Sequence, residues 1–196
     1  MSQPVFNREA IRPGDIISRY TGGPIAWGIC IATNQWKINH DALIIPNRYG
    51  ELCVGDALMS LGCQLTPLTE WENNCINKGD RVLIGRPLLA TEENGLAAAN
   101  WWLENVNGRK YDRVALAQIL RKRIFGTWWK TPVGEETHFY CSEGCRDSYT
   151  KATTLRPWGN AINVTPGTTI ESYWAGRIVE ILEAFTVYGE RWKVEL

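Results

Sequence analysis

His138-Phe139-Tyr140-Cys141-Ser142-Glu143 reads as an extended segment that becomes a helix at or beside its cysteine. From Ser142 onward, Glu143, Arg146, Tyr149 and Lys151 suit helical spacing. A thiol at a helix N-terminus feels the positive end of the helix dipole and the unpaired backbone N–H groups there, both of which favour thiolate. The same N–H groups can contribute to an oxyanion hole. Cys141 is therefore the candidate nucleophile. A buried cysteine otherwise packs inertly, and that reading is kept for the other five, Cys145 included.

A cysteine nucleophile needs a base, and the chain has only two histidines, His40 and His138. His40 heads Asn39-His-Asp-Ala-Leu-Ile-Ile45, a strand-like run on which alternation can aim it at a cleft. The following run, Leu52-Cys-Val-Gly-Asp-Ala57, reads as the return strand of a hairpin closed by Pro46-Asn-Arg-Tyr-Gly50. That hairpin can set Asp56 beside His40, where a carboxylate would fix the imidazole tautomer and stabilise the imidazolium. Taken alone, His40 also reads as a satisfied structural histidine and Asp56 as an ordinary strand-end acid. His138 is the rival base, on an extended segment three residues before Cys141 that can point it away.

Working outward, Ile16–Tyr20 reads as a strand after the turn Arg12-Pro-Gly-Asp15, and Pro24 pre-sets a helix over Ile25–Thr33. A loop containing Pro67 precedes a strand at Arg81–Arg86. Glu92 and Glu93 load the first turn of a helix that Asn107-Gly108 stops, and a second helix covers Val114–Ile124. Ile178–Leu182, Phe185–Tyr188 and Trp192–Leu196 alternate weakly and read as closing strands. The order is strands, helices, one key helix, strands: an α+β domain with a central antiparallel sheet packed against helices. Without repeat, low-complexity run or long linker, residues 1–196 form one domain.

Composition narrows the function. A chain of 196 residues carrying 44% hydrophobic side chains can bury a substantial core. Its 21 basic and 21 acidic residues give no whole-molecule field to draw in nucleic acid or an anionic membrane. The basic residues of Lys110–Arg123 read as a solvated helix face. The N-terminus lacks a basic segment followed by an apolar one, and no apolar run reaches a membrane span. A cytoplasmic setting is expected, or delivery by a route that reads no N-terminal signal, and the six cysteines read as reduced thiols. No metal or cofactor is expected: there is no Cys-x-x-Cys pair, and Cys141-x-x-x-Cys145 has no partner pair. Ten tryptophans, with doublets at 101–102 and 128–129, read as core. The sharper alternative has some of them lining a groove for a lipid chain, sugar or peptide.

Several fragments, in order, resemble the circularly permuted, papain-like NlpC-type cysteine hydrolases. This is the branch of the YiiX-like and YebB-like bacterial proteins, related to the lecithin–retinol acyltransferases. Pro13-Gly-Asp-Ile-Ile17 resembles the family's opening Gly-Asp strand, and Asn39-His40-Asp-Ala-Leu-Ile its histidine strand. Val54-Gly-Asp56-Ala57 resembles the strand ending in an acid and Ala. Gly108-Arg-Lys-Tyr-Asp112 resembles the Gly-x-x-Tyr-Asp before the central helix, Phe139-Tyr-Cys141-Ser-Glu143 the nucleophile motif, and Val164-Thr-Pro-Gly167 a late Thr-Pro turn. Asp41 stands where the family has an apolar residue, Asp56 where a Glu is frequent, and Gly144-Cys145 where Leu-Val is typical. The resemblance implies thiolate attack by Cys141 on an amide, ester or thioester carbonyl, with His40 as base and Asp56 orienting it. The expected substrate is small and peptide-like, cell-wall peptides being a common substrate class of the wider superfamily. The alternatives are a lipid-directed thiol esterase or acyltransferase, and a catalytically silent binding module of the same fold.

Overall fold

The computed structural model describes residues 8–33, 38–125, 138–161 and 164–185. Six strands, β1 (Ile16–Tyr20), β2 (His40–Pro46), β3 (Leu52–Leu58), β4 (Gly62–Pro67), β5 (Arg81–Pro87) and β8 (Ile178–Phe185), form one sheet. Its order is β4-β3-β2-β1-β5-β8, and every neighbouring pair is antiparallel. A two-residue parallel ladder joins β6 (Lys110–Tyr111) to β7 (His138–Phe139). The helices are α1 (Pro24–Thr33), α2 (Leu68–Lys78), α3 (Glu92–Asn105), α4 (Arg113–Phe125), α5 (Cys141–Ala152) and α6 (Pro166–Trp174). The architecture is α+β around an antiparallel sheet, as the sequence predicts.

Both faces of the sheet are covered, which explains why Ala42-Leu-Ile-Ile45 is apolar without interruption. Ile16, Leu43 and Ile45 face Trp102 of α3 and Cys145 and Tyr149 of α5. Their strand neighbours Ile17, Ala42 and Ile44 face Leu68, Trp71 and Cys75 of α2. The stretch read as a loop around Pro67 is instead β4 running straight into α2. Leu68, Trp71, Glu72 and Cys75 are its buried residues, a helical spacing that Pro67 masks by ending the strand and opening the helix at one position. Val164–Gly167 is likewise more than a turn: Thr165 caps α6, and Pro166 opens its first turn.

The opening motif clamps α3 and α5 to the sheet. Arg86 grips Asp15 with two hydrogen bonds, Nε to Oδ1 and Nη2 to Oδ2, each 2.8 Å. Gly14, at φ +86°, lies where an added Cβ would come within 2.4 Å of the Gly95 Cα on α3. From α5, the Tyr149 hydroxyl donates to the Gly14 carbonyl at 2.5 Å. Of the tryptophans, Trp102 is buried in the core and Trp101 meets Phe139 edge-on at 6.4 Å. The Trp128-Trp129 doublet and the strands expected beyond Phe185 lie outside the described residues.

Candidate active site

The β2–β3 register sets Leu43 opposite Gly55. Continued toward the strand end, it makes His40 and Asp56 diagonal neighbours on one face, within reach of each other's side chains. His40 Nε2 and Asp56 Oδ1 form a buried, hydrogen-bonded ion pair. The second carboxylate oxygen accepts from Trp71 Nε1 at 3.2 Å, and Arg19 Nη2 lies 4.0 Å from it. Arg19 in turn lies over the Trp71 ring at 5.2 Å and reaches Asp80 at 3.8 Å. Burial works against a charged Asp56, but the His40 charge and hydrogen bond, then Arg19 and Trp71, hold its carboxyl below the usual range.

Cys141 is the first residue of α5 and 6% exposed. Tyr140, at the cap position, makes no side-chain hydrogen bond to the helix end. The N–H groups of this first turn are thus not consumed by a side-chain cap. Cys141 lies near enough to His40 for its charge and hydrogen bonding to raise the imidazole. Burial disfavours the imidazolium, yet the charges of Asp56 and of a Cys141 thiolate, with hydrogen bonds to both, push His40 up to about 10. The other thiols are also free and buried. Burial pushes Cys63 and Cys75 up to about 12, and Cys145 well above its usual range. His138 is exposed on β7, opposite Lys110, and it is His40 that meets the thiol.

The departure at Asp41 also finds a place here. Fully buried, it accepts from Ser18 Oγ at 2.7 Å, Ser142 Oγ at 2.6 Å and Thr169 Oγ1 at 2.8 Å. Thr169 accepts in turn from Trp158 Nε1 at 2.9 Å. Burial raises the Asp41 carboxyl, and the three hydroxyl donors oppose that rise. Beside His40 opens a cavity of about 250 Å³, with Arg19, Asn39, Ala57, Met59 and Tyr111 in its wall. Among the described residues, its lining contains no tryptophan and, apart from His40 and Arg19, no ionisable side chain but Tyr111. Burial, and next the charge of a Cys141 thiolate, push that tyrosine's hydroxyl up, keeping it a hydrogen-bond donor.

The ion pair makes a prediction about pH. His40 has its folded value raised from 6.5 to about 10, so its contribution to stability is full below pH 6.5 and disappears as pH climbs through about 10. Asp56 is shifted down from 3.8, so its contribution is present above that pH and fades on acidification below it. The stability lost in His40→Gln should therefore be largest between about pH 4 and 6.5 and shrink toward pH 10. Urea midpoints of both proteins at pH 6 and pH 10 test this; an equal gap at the two values contradicts it.

Fold and site together define an α+β domain that sets a cysteine at a helix start against a histidine–aspartate pair on adjacent strands. The same fold is found in the metalloprotein YiiX from Escherichia coli O157:H7, with a TM-score of 0.60 over 87% of this chain and 96% of that one. Sequence identity is 18%. No family model matches the chain, and no curated protein matches it in sequence. Among the described residues, no group of three or more His, Cys, Asp or Glu side chains is placed to hold a metal ion.

Proposed function

We propose that this chain is a cysteine hydrolase of the permuted papain-like, NlpC-type kind, acting on an amide bond of a small peptide-like substrate. The reading rests on one observation: the buried His40–Asp56 pair lies close to a cysteine at the start of a helix. The Cys141 sulfur attacks the carbonyl carbon, and the carbonyl oxygen becomes an oxyanion beside the N–H groups of the first turn of α5. The C–N bond breaks as the His40 imidazolium gives its proton to the departing amine, leaving an acyl–sulfur ester. Water, deprotonated by His40, adds to that ester and releases the acid and the thiol. Asp56 keeps the ring oriented throughout, and Trp71 and Arg19 keep Asp56 in place. The cavity beside His40 is smaller than the roughly 300–1,000 Å³ usual for whole ligands, so it suits one uncharged side group of the substrate.

The test needs no substrate. Cys141 should be alkylated by iodoacetamide at pH 6 far faster than a free thiol, whose pKa of about 8.5 leaves well under 1% thiolate there. His40→Ala should slow it by on the order of tenfold or more. A Cys141 rate that is slow, or indifferent to His40, removes the chemical basis of the proposal. Incubation with peptide amides and with phospholipid vesicles then separates the substrates. An acyl adduct on Cys141 from phospholipid alone would replace the amidase reading with a lipid-directed acyltransferase.

A further inference from the structure

We propose that Asp41 is a positioning residue, a buried carboxylate that fixes the Cys141 thiol against His40 by holding the hydroxyl of Ser142. The inference rests on the hydrolase reading above and names a part of its machinery that the dyad alone does not reveal. The chain is arranged in two adjacent pairs: His40 is followed by Asp41, and Cys141 by Ser142. Asp41 and Ser142 are bonded at 2.6 Å across 101 residues of sequence. A single short hydrogen bond therefore links the residue after the base to the residue after the nucleophile.

Packing alone does not call for a carboxylate here. The residues that follow on β2, Ala42 through Ile45, are all buried and apolar. An apolar side chain at position 41 would extend that pattern. Putting a carboxylate in the interior is costly unless its oxygens are satisfied. Here Oδ2 accepts from Ser142 and Thr169 and Oδ1 from Ser18, so β1, α5 and α6 are all tied to the strand that carries the base. The thiol then has little freedom to slide. Ser142 occupies the second position of α5, and any rotation of that turn that moved Cys141 would break its bond to Asp41. A misplacement of about 1 Å at a reacting group is enough to lose on the order of a hundredfold in rate.

The experiment measures alkylation of Cys141 by iodoacetamide at pH 6, by mass spectrometry, in the full chain. Asp41→Ala and Ser142→Ala should each slow it by on the order of tenfold or more. Asp41→Asn, which keeps an acceptor for Ser142 and Thr169 and can donate to Ser18, should stay within about threefold of wild type. The double variant Asp41→Ala/Ser142→Ala should react no more slowly than Asp41→Ala alone, because both remove one link. Near-native rates in folded Ser142→Ala overturn the proposal, as does an Asp41→Asn protein as slow as Asp41→Ala. If Asp41→Ala does not fold, Ser142→Ala and Asp41→Asn decide. A wild-type Cys141 that is slow at pH 6 and unmoved by His40→Ala would instead defeat the hydrolase reading, a different outcome from fast wild-type labelling that ignores Ser142.

Discussion

Cys141→Ala is expected to abolish turnover of activated peptide amides and thioesters, a loss on the order of 10⁴-fold or more in kcat. The urea midpoint should stay close to that of the wild type. The side chain is small, and alanine is at least as good a helix former in the first turn of α5. Cys63→Ala is the matched comparison. Cys63 is also buried, at 3% exposed, but its thiol is pushed up to about 12 by burial, so this variant should turn over normally. Turnover that survives in Cys141→Ala would leave the chain without a nucleophile in the role assigned here, and the binding-module alternative would take its place.

The second large effect falls on stability. Gly95→Ala should lose at least about 3 kcal/mol, a large share of the 5–15 kcal/mol typical of a domain. A Cβ at Gly95 would lie 2.2 Å from the Pro13 carbonyl oxygen, and the neighbouring Gly14 already occupies a left-handed conformation against it. Neither backbone can retreat easily. Asp15 is held by Arg86 on one side, and the Gly14 carbonyl by Tyr149 on the other. Gly28→Ala in α1, where the added Cβ meets nothing within 4 Å, should be neutral or slightly stabilising. Equal urea midpoints for the two variants would contradict this account of the Pro13-Gly14 motif.

What the sequence reveals depends on how local the signal is. His40 and Asp56 lie on paired strands one short turn apart, so period-two alternation and turn chemistry suffice to bring them together. The start of α5 at Cys141 is legible for the same reason. Trp71 and Arg19, the residues behind Asp56, are not. Trp71 sits on a helix hidden by Pro67, and nothing in the pattern of Ile16–Tyr20 says which way Arg19 faces. Asp41 stands out in the sequence only as a polar residue where an apolar one is expected. Its partners come from Ser18, Ser142 and Thr169, three separate elements whose convergence no local pattern encodes. A charged residue out of pattern on a buried strand is the one signal that marks such a point in advance.

The bonds from Asp41 to Ser142 and Thr169 span 101 and 128 residues, so they belong to the slowest class of contacts a folding chain makes. Strands β1 to β5 lie together in sequence and can pair while the rest of the chain is still being synthesised. Neither the thiol nor the hydroxyls that hold it in register are present until α5 and α6 have emerged and docked. A nascent or truncated chain therefore carries His40 and Asp56 without the Cys141 thiol. Reactivity at Cys141 becomes a marker that the last part of the molecule has arrived and closed.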